Sequence, residues 1–475
     1  MKLANTMRLG LVLLAVIAML PLVARAQADQ QNAPAPPAPA VSSPVITAPG
    51  NADSSDITNV ENNNGDHMLT PPPVSGQSYP LATVSEERSN YLRGGVIFAA
   101  AYSDNVLGST SPAPVSDVSY SIFPTIALDQ TTTRLHTTLT YAPGFTFYQR
   151  TSAYNQADQN AAIDLRYRLS PHVTVSLRDS FQKTSNVFNQ PDQGLDVSVS
   201  GSVQAINNSI VAPLADQLNN VGGAGITYQF SGDAMVGASG TFSNLHYTAP
   251  GQVPGLYDGA SRTGSAFYSY RISRQHYLGV IYQYQELLSY PGAATNETKT
   301  HAALFFYTFF PRPTVSFSLF AGPQYYTAGA QFVTAGAVPV AATQSWSPAA
   351  GASLNWQMPH TSSALSYVHT VSSGGGLIGA VRLESATASL RQQITPHLNA
   401  SFAGSYANNG VLAFSELGGH SFLASAALQR QIGQHVGLEA GYTRLHQDYF
   451  FFSANPDTNR EWVSVSYQFV RPLGR

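Results

Sequence analysis

From Tyr91 to Val470 the chain repeats segments of about 9–14 residues in which apolar and small polar residues alternate. In one segment Leu165, Tyr167 and Leu169 occupy one phase, and Arg166 and Arg168 occupy the other. Most polar phases elsewhere consist of Gly, Ser, Thr, Asn or Gln. Because successive side chains of a strand point to opposite faces, this pattern predicts strands with one apolar and one polar face.

Tight turns and longer loops separate these segments in strict alternation. The sequence predicts eight tight turns, at Asp129-Gln130, Ser170-Pro171, Ser231–Asp233, Ser273-Arg274, Pro311–Pro313, Pro359, Thr395-Pro396 and Gly433. It predicts nine longer loops, at 105–115, 149–156, 187–216, 247–260, 289–297, 327–342, 372–376, 407–417 and 447–458. Short turns on one side and long loops on the other are typical of outer-membrane barrels. The count gives 18 strands, with 16 as the alternative if one hairpin is lost.

The composition places this sheet in a membrane. Only 10% of the 475 residues are charged, although 43% are hydrophobic and 11% are aromatic. After residue 30 no apolar run reaches the roughly 20 residues that a membrane helix needs. The expected fold is therefore all-β: a transmembrane antiparallel up-and-down barrel of about 16–18 strands over residues 89–475, in contact with outer-membrane lipid.

Facing follows from the same alternation. We expect five residues to face lipid, namely Leu135, Leu165, Val175, Tyr228 and Val465. We expect four to face the lumen, namely Thr138, Ser176, Gly225 and Ser466. Aromatic residues near strand ends predict two interfacial girdles, at Tyr148, Tyr290, Tyr325, Tyr326 and 449–452 beside the loops and at Tyr270, Phe309, Trp356 and Phe469 beside the turns.

The N-terminal residues have a different character. Residues 1–26 combine Lys2 and Arg8, an apolar stretch over Leu11–Val23 and an Ala24-Arg25-Ala26 cleavage site, which predicts a cleaved secretory signal peptide. Residues 27–88, rich in Pro, Ala, Asn and Gln, predict a disordered periplasmic arm. The chain has no cysteine, so it can form neither a disulfide nor a lipid-modified N-terminal cysteine.

Residues 88–475 resemble the β-barrel porins of Gram-negative bacteria, especially the group associated with exopolysaccharide synthesis and export. The resemblance rests on the signal peptide, the low-complexity arm, hairpins such as Leu165–Leu177 and the terminal strand Trp462–Phe469. It implies recognition by the barrel-assembly machinery through a terminal aromatic residue. Here Val470–Arg475 follow Phe469, so Phe469 would serve from an internal position, or recognition differs. The family brings no catalytic residues.

Charged residues on the polar phase are the candidate site. Seven of them are candidate lumen or selectivity residues, namely Arg134, Asp164, Arg166, Arg168, Arg178, Arg271 and Arg391. They lie near the turns, whereas acidic residues concentrate in the long loops. A basic periplasmic mouth that gathers anionic solutes or an acidic polymer is one interpretation. The other is that these arginines pair with carboxylates and select nothing.

The sequence gives little support for metal binding, catalysis, cofactor binding or nucleic-acid binding. Five histidines in or beside turns would be spread around a rim, too far apart to bind one metal ion: His172, His276, His360, His397 and His435. A lipase-like pairing of His369 with Ser345 or Ser347 is the one enzymatic alternative. No cofactor motif is present, and the net charge of −3 with no basic block argues against nucleic acid.

Two functions follow. The first is a passive channel for small solutes or for polysaccharide export, because 16–18 strands enclose an aqueous opening. The second is a structural or adhesive barrel with a blocked lumen and partner-binding loops. The loop at 187–216 could fold inward as a plug. The sequence leaves the substrate and the oligomeric state open.

Overall fold

The computed structural model describes twelve stretches of the chain. They are residues 90–106, 114–185, 215–248, 256–292, 294–312, 314–330, 341–358, 360–373, 375–412, 418–433, 435–449 and 457–473. The predicted signal peptide and arm, residues 1–26 and 27–88, therefore lie outside the described residues and stay predictions, as does most of the 187–216 loop.

The described residues form nineteen strands. They are β1 (Asn90–Ser103), β2 (Asp117–Thr131), β3 (Leu135–Tyr141), β4 (Gly144–Tyr148), β5 (Gln156–Ser170), β6 (Val173–Thr184), β7 (Gln217–Gln229), β8 (Ala234–Tyr247), β9 (Asp258–Arg271), β10 (His276–Tyr290), β11 (Asn296–Arg312), β12 (Val315–Ala328), β13 (Thr343–Gln357), β14 (Thr361–Ser373), β15 (Ala380–Thr395), β16 (Leu398–Val411), β17 (Gly418–Ile432), β18 (Val436–Tyr449) and β19 (Asp457–Pro472). A 3-10 turn over Ser152–Tyr154 follows β4.

Strands β3 and β4 are two halves of one crossing. Both pair with β2 on one side and β5 on the other. Pro143 separates them because it has no N–H to donate to the ladder, and Ala142 N donates to Asn160 O (2.8 Å). Nineteen strands thus make 18 crossings, as predicted.

Pairing between β1 and β19 closes the sheet. Every strand is antiparallel to its neighbours, and the first and last strands pair from Tyr91↔Pro472 to Ser103↔Arg460. The predicted up-and-down antiparallel barrel is confirmed. No helix among the described residues is long and apolar enough to cross a membrane.

The two faces follow the alternation of the sequence. Tyr228 and Val465 are 47% and 44% exposed on the outer surface, whereas Thr138 and Ser466 are buried on the inner one. Cross-strand pairs keep each set together, since Val175 pairs with Tyr167 and Ser176 pairs with Gly225. The predicted facing is confirmed.

Two local predictions were wrong. The first turn lies at Thr132–Arg134 and not at Asp129-Gln130, because Thr132 N donates to Leu135 O (2.7 Å) and closes it there. Asp129 is instead a buried, inward-facing residue of β2. Among the predicted girdle residues, Tyr148, Tyr326 and Tyr449 are buried on the inner phase of their strands.

The inner wall is not small and polar throughout, contrary to expectation. Across β8–β13 it carries an apolar sector of eight buried residues, with Tyr277 packed against them. Glycines make room for the rings: a Cβ on Gly279 would lie 2.2 Å from the Phe306 ring and 2.3 Å from Tyr268 O. The members of the sector are Met235, Phe267, Ile281, Ala302, Leu304, Phe306, Phe320 and Ala349.

Candidate functional site

The hairpin of β14 and β15 leaves the barrel wall at the loop end. The β13–β14 ladder runs from Gln357↔Ser362 to Ala350↔His369 and ends there, although β13 begins at Thr343 and β14 continues to Ser373. Strands β14 and β15 stay paired to Ser373↔Ala380. The hairpin therefore bends as a unit, and we call residues 370–373 and 375–380 the hairpin tip.

The tip bends into the lumen. Val371 and Ala380 lie on the outward phase of their strands, yet they pack against Leu287 and Tyr326, which lie on the inward phase of β10 and β12. An outward-phase residue can contact the inner wall of another strand only if its own strand has moved inside the barrel. The tip consequently lies against the inner surface of β10–β12.

The other side of the tip packs against residues from distant strands. Leu377, Ile378 and Val381 form one buried cluster with five residues near the loop ends of β7, β8, β9, β16 and β18. Burial raises the pKa of the Tyr257 phenol, which packs against this cluster. The five contacting residues are Ala215, Tyr247, Leu256, Val411 and Tyr449.

Hydrogen bonds fix the tip on the wall. The Tyr247 hydroxyl donates to Gly375 O (2.8 Å), Tyr257 N donates to Gly376 O (2.8 Å), and Gly379 N donates to the Ser289 hydroxyl (2.9 Å). Gly376 has φ +105° and lies so close to Tyr247 that a Cβ would be 2.5 Å from the phenol oxygen. Glycine is thus required here for both its conformation and its size.

These contacts place an obstruction at the loop-end mouth of the barrel. The tip reaches from β14–β15 to β8–β10, about a third of the way around an 18-strand wall. A cavity of about 60 Å³ remains between tip and wall, which is room for a few waters. The inward-folding element described here is thus the predicted 372–376 loop. The loop predicted for that role, 187–216, lies outside the described residues except for Ala215 and Asp216.

Five of the six predicted basic residues lie on the inner wall toward the turn end, and part of their charge is compensated. Arg178 Nη2 is 2.9 Å from Asp164 Oδ2 on the adjacent strand, and both side chains are about a quarter exposed. Arg271 Nη2 is 2.7 Å from Asp233 Oδ1 in the β7–β8 turn. These two arginines therefore form ion pairs.

The remaining arginines fall into two groups. Arg166 and Arg168 follow one another on the inward phase of β5, opposite Ser176 and Thr174, and Arg391 lies on the inward phase of β15. Arg134 is not on the lumen phase of a strand, contrary to expectation. It is exposed in the β2–β3 turn, where its carbonyl accepts a hydrogen bond from Arg168 N (2.7 Å).

Sequence reasoning missed several charged residues on the same inner wall, where Asp117, Asp158 and Glu439 are buried together with Arg93 and Asp129. Arg93 and Asp129 are 7% and 1% exposed on β1 and β2. Asp129 was misread as a turn former. Arg93 alternates with Gly95, Ile97 and Ala99, a phase too apolar to be recognised as lumen-facing.

The described residues considered for metal binding or for a lipase-like reaction do not lie together in the structure. Among the described residues no group of three or more His, Asp and Glu could hold a metal ion. His369 lies on the outward phase of β14, with its Nδ1 3.2 Å from Glu384 Oε1. Ser347 lies on the inward phase of β13 and donates to Pro348 O, so this serine and His369 face opposite sides of the wall.

Comparisons with known proteins give likeness only at the level of shape. No family model matches the chain, and no curated protein matches it. Acinetobacter baumannii OccAB4 aligns at a TM-score of 0.41 and 11% identity over 81% of this chain and 100% of that one. Pseudomonas aeruginosa OpdK with vanillate aligns at 0.39 and 10% over 80% and 99%. P. aeruginosa OpdQ aligns at 0.41 and 10%, also over 80% and 99%. Likeness this weak carries no argument about function.

The barrel itself defines the class of protein. A closed antiparallel barrel of 18 crossings, with large apolar side chains exposed outside and turns short at one end only, is the outer-membrane architecture. The chain is a bacterial outer-membrane β-barrel.

Proposed function

We propose that the protein is a passive outer-membrane channel for small hydrophilic solutes, constricted at its loop-end mouth by the β14–β15 hairpin tip. The observation that carries this proposal is the tip itself, bent inside an 18-crossing barrel and held by Tyr247, Tyr257 and Ser289. A barrel of 16–18 strands leaves an aqueous channel, and an inward-folded element at one mouth narrows it. The turn end would face the periplasm.

Liposome swelling tests the size limit that the tip imposes. Proteoliposomes of the full chain should swell in a monosaccharide and much more slowly in a trisaccharide, because passage is restricted at the tip. Swelling at equal rates in both sugars would show that the tip does not restrict the channel. Absence of swelling in either would favour the second candidate, a structural or adhesive barrel whose lumen the tip blocks.

Polysaccharide export is less compatible with this arrangement. A polymer would need a mouth that stays open along its whole passage, and the tip would have to be displaced from three hydrogen bonds and two apolar clusters. We therefore propose small solutes as the permeating class.

We further propose that Arg166 and Arg168 make the channel favour anions. Both lie on the inward phase of β5, two residues apart, and guanidinium stays charged at all physiological pH values. Charges more than a Debye length away, about 8–10 Å, are largely screened. The net charge of the lumen wall, which includes Asp164 and the buried Asp129, therefore sets the preference, and the acidic loops do not.

Reversal potentials under a salt gradient test this selectivity. The double variant Arg166→Gln/Arg168→Gln should lose most of the anion preference. The matched control Arg134→Gln/Arg274→Gln removes the same charge from two exposed turns and should keep it. An unselective wild-type channel, or equal shifts in both variants, would contradict the proposal.

A further inference from the structure

The departure of β14 leaves a split in the barrel wall beside β13. Seven residues of β13, Thr343–Ala349, have no partner strand on the β14 side among the described residues. On their other side they remain paired with β12 from Ala328↔Thr343 onward. The split runs from the middle of the wall to the loop end, which is the half of the barrel in the outer leaflet.

The sequence is adapted to an open edge at this point. Exposed backbone donors in hydrocarbon carry a high cost. Pro348 lies on the open edge of β13, opposite Pro323 of β12. It has no N–H to leave unpaired, and prolines are found at sheet edges for this reason. On the departing strand, Val371 N donates to Gln324 Oε1 (3.0 Å) from inside the barrel. On each edge, one backbone N–H that the missing ladder would have paired is therefore either absent or hydrogen bonded elsewhere.

An apolar groove lies along this edge. It is a shallow groove, open along one side, with a volume of about 430 Å³. Small outward residues, Ala321, Pro323, Pro348 and Ala350, form its floor, and Trp346 stands beside it with 67% of its surface exposed. The groove opens toward the membrane, so hydrocarbon is what reaches it.

The base of the split is polar. His369, the last residue of β14 paired with β13, lies 3.2 Å from Glu384 on β15, and the exposed Arg382 follows on β15. A purely apolar occupant would leave these groups against hydrocarbon, which is unfavourable. A molecule with a hydrocarbon chain along β13 and a polar head beside the β14–β15 pair satisfies both the apolar groove and the polar base.

We propose that the β13–β14 split is a lateral binding site for a single-chain amphiphile, whose hydrocarbon chain occupies the Ala321–Ala350 groove and whose head group lies at His369, Glu384 and Arg382. The site opens to the outer leaflet and is separate from the axial channel. It neither requires nor excludes ion conduction.

Tryptophan quenching tests occupancy, because the chain has only three tryptophans. A single-tryptophan variant keeps Trp346, and a matched one keeps Trp356, which is 46% exposed outside on the paired half of the same strand. The probe is stearic acid with a nitroxide on its chain, added to the full chain in lipid bilayers. Quenching of Trp346 should saturate, and should reach its half-maximum at about a tenfold lower mole fraction of probe than quenching of Trp356. A tenfold gain in affinity is what burial of roughly two extra methylene groups in the groove would give.

Two substitutions fill the groove from different strands. Ala350→Phe and, independently, Ala321→Phe should each remove the preferential quenching of Trp346, whereas Ala238→Phe, on the outer face of β8, should leave it unchanged. Equal, unsaturable quenching of Trp346 and Trp356 would overturn the proposal. So would preferential quenching that both groove variants retain.

Disulfide trapping tests the split without any ligand. If the ladder continued in register, Ser347 would pair with Ser372, just as Ser353 pairs with Ser366. Disulfides need Cα atoms within about 7 Å, so Ser353→Cys/Ser366→Cys should oxidise readily and Ser347→Cys/Ser372→Cys should not. Equal oxidation of the two pairs would mean a closed wall and no lateral site.

Discussion

At the residue scale, the alternation of single side chains decides which surface meets lipid. Ile226 and Ser239 illustrate the contrast, since they lie at nearly the same level of the adjacent strands β7 and β8. Ile226 is 47% exposed on the outer face, and the Ser239 hydroxyl is hydrogen bonded to Ser265 (2.8 Å) on the inner one. A one-residue slip in register would exchange the two environments.

Arginine at these two positions should have opposite outcomes. Ile226→Arg places a cation in the bilayer, at a cost of about 2–4 kcal/mol near the midplane, and should reduce the yield of folded, heat-modifiable barrel on gel electrophoresis. Ser239→Arg, facing small neighbours on the inner wall, should fold at nearly the wild-type yield. Equal losses in the two variants would be incompatible with the facing described here.

Sequence alone accounts for the alternating residues and fails where context overrides alternation. Thr138 and Tyr228 follow from a period of two, and so do the 18 crossings. The buried position of Asp129 does not, because an Asp-Gln pair is as compatible with a turn as with a strand end. The apolar inner sector around Phe306 is also missed, since an apolar residue on the inner phase only weakens the alternation.

At the element scale, the closing strand depends on a contact between an aromatic ring and a glycine. Phe469 of β19 pairs with Gly94 of β1, and a Cβ on Gly94 would lie 2.3 Å from the ring. The Phe469 ring therefore packs over the backbone of β1 at Gly94, across the β1–β19 pairing that closes the barrel.

Removing this ring should weaken closure. Phe469→Ala should lower the yield of closed barrel and reduce the urea concentration at which it unfolds, because deletion of a packed phenylalanine costs about 3–5 kcal/mol in a fully buried site and less at this partly exposed one. Val470→Ala, the neighbouring exposed residue, is the control. An unchanged unfolding midpoint in the Phe469 variant would mean that the seam does not depend on this contact.

The inward bend of β14 is the element that sequence could not supply. Its residues continue the two-residue period through Val371, so the local sequence gives no signal that the strand leaves the wall. The cause lies in contacts distant in sequence, such as Tyr247 with Gly375, 128 positions apart. The three consecutive glycines Gly374–Gly376 were recognised only as a loop, and the two prolines of β12 and β13 acquire meaning only once their pairing is known.

At the scale of the whole molecule, the described residues form a closed wall with one inward-folded element. The wall encloses a lumen, and under the proposed function the hairpin tip limits the opening at its loop-end mouth. The basic residues near the turn end would act on solutes after or before that constriction. Transport properties should therefore change when the tip changes and the wall does not.

Single-channel conductance in planar bilayers tests this account most directly. Gly376→Ala forces a side chain against Tyr247 at a positive φ and should dislodge the tip, whereas Gly410→Ala, where a Cβ meets nothing within 4 Å, should not. We expect a small, steady conductance for the wild type and for Gly410→Ala, and a clearly larger one for Gly376→Ala. Identical conductances in all three proteins would contradict the constriction, and no conductance in any of them would contradict the channel.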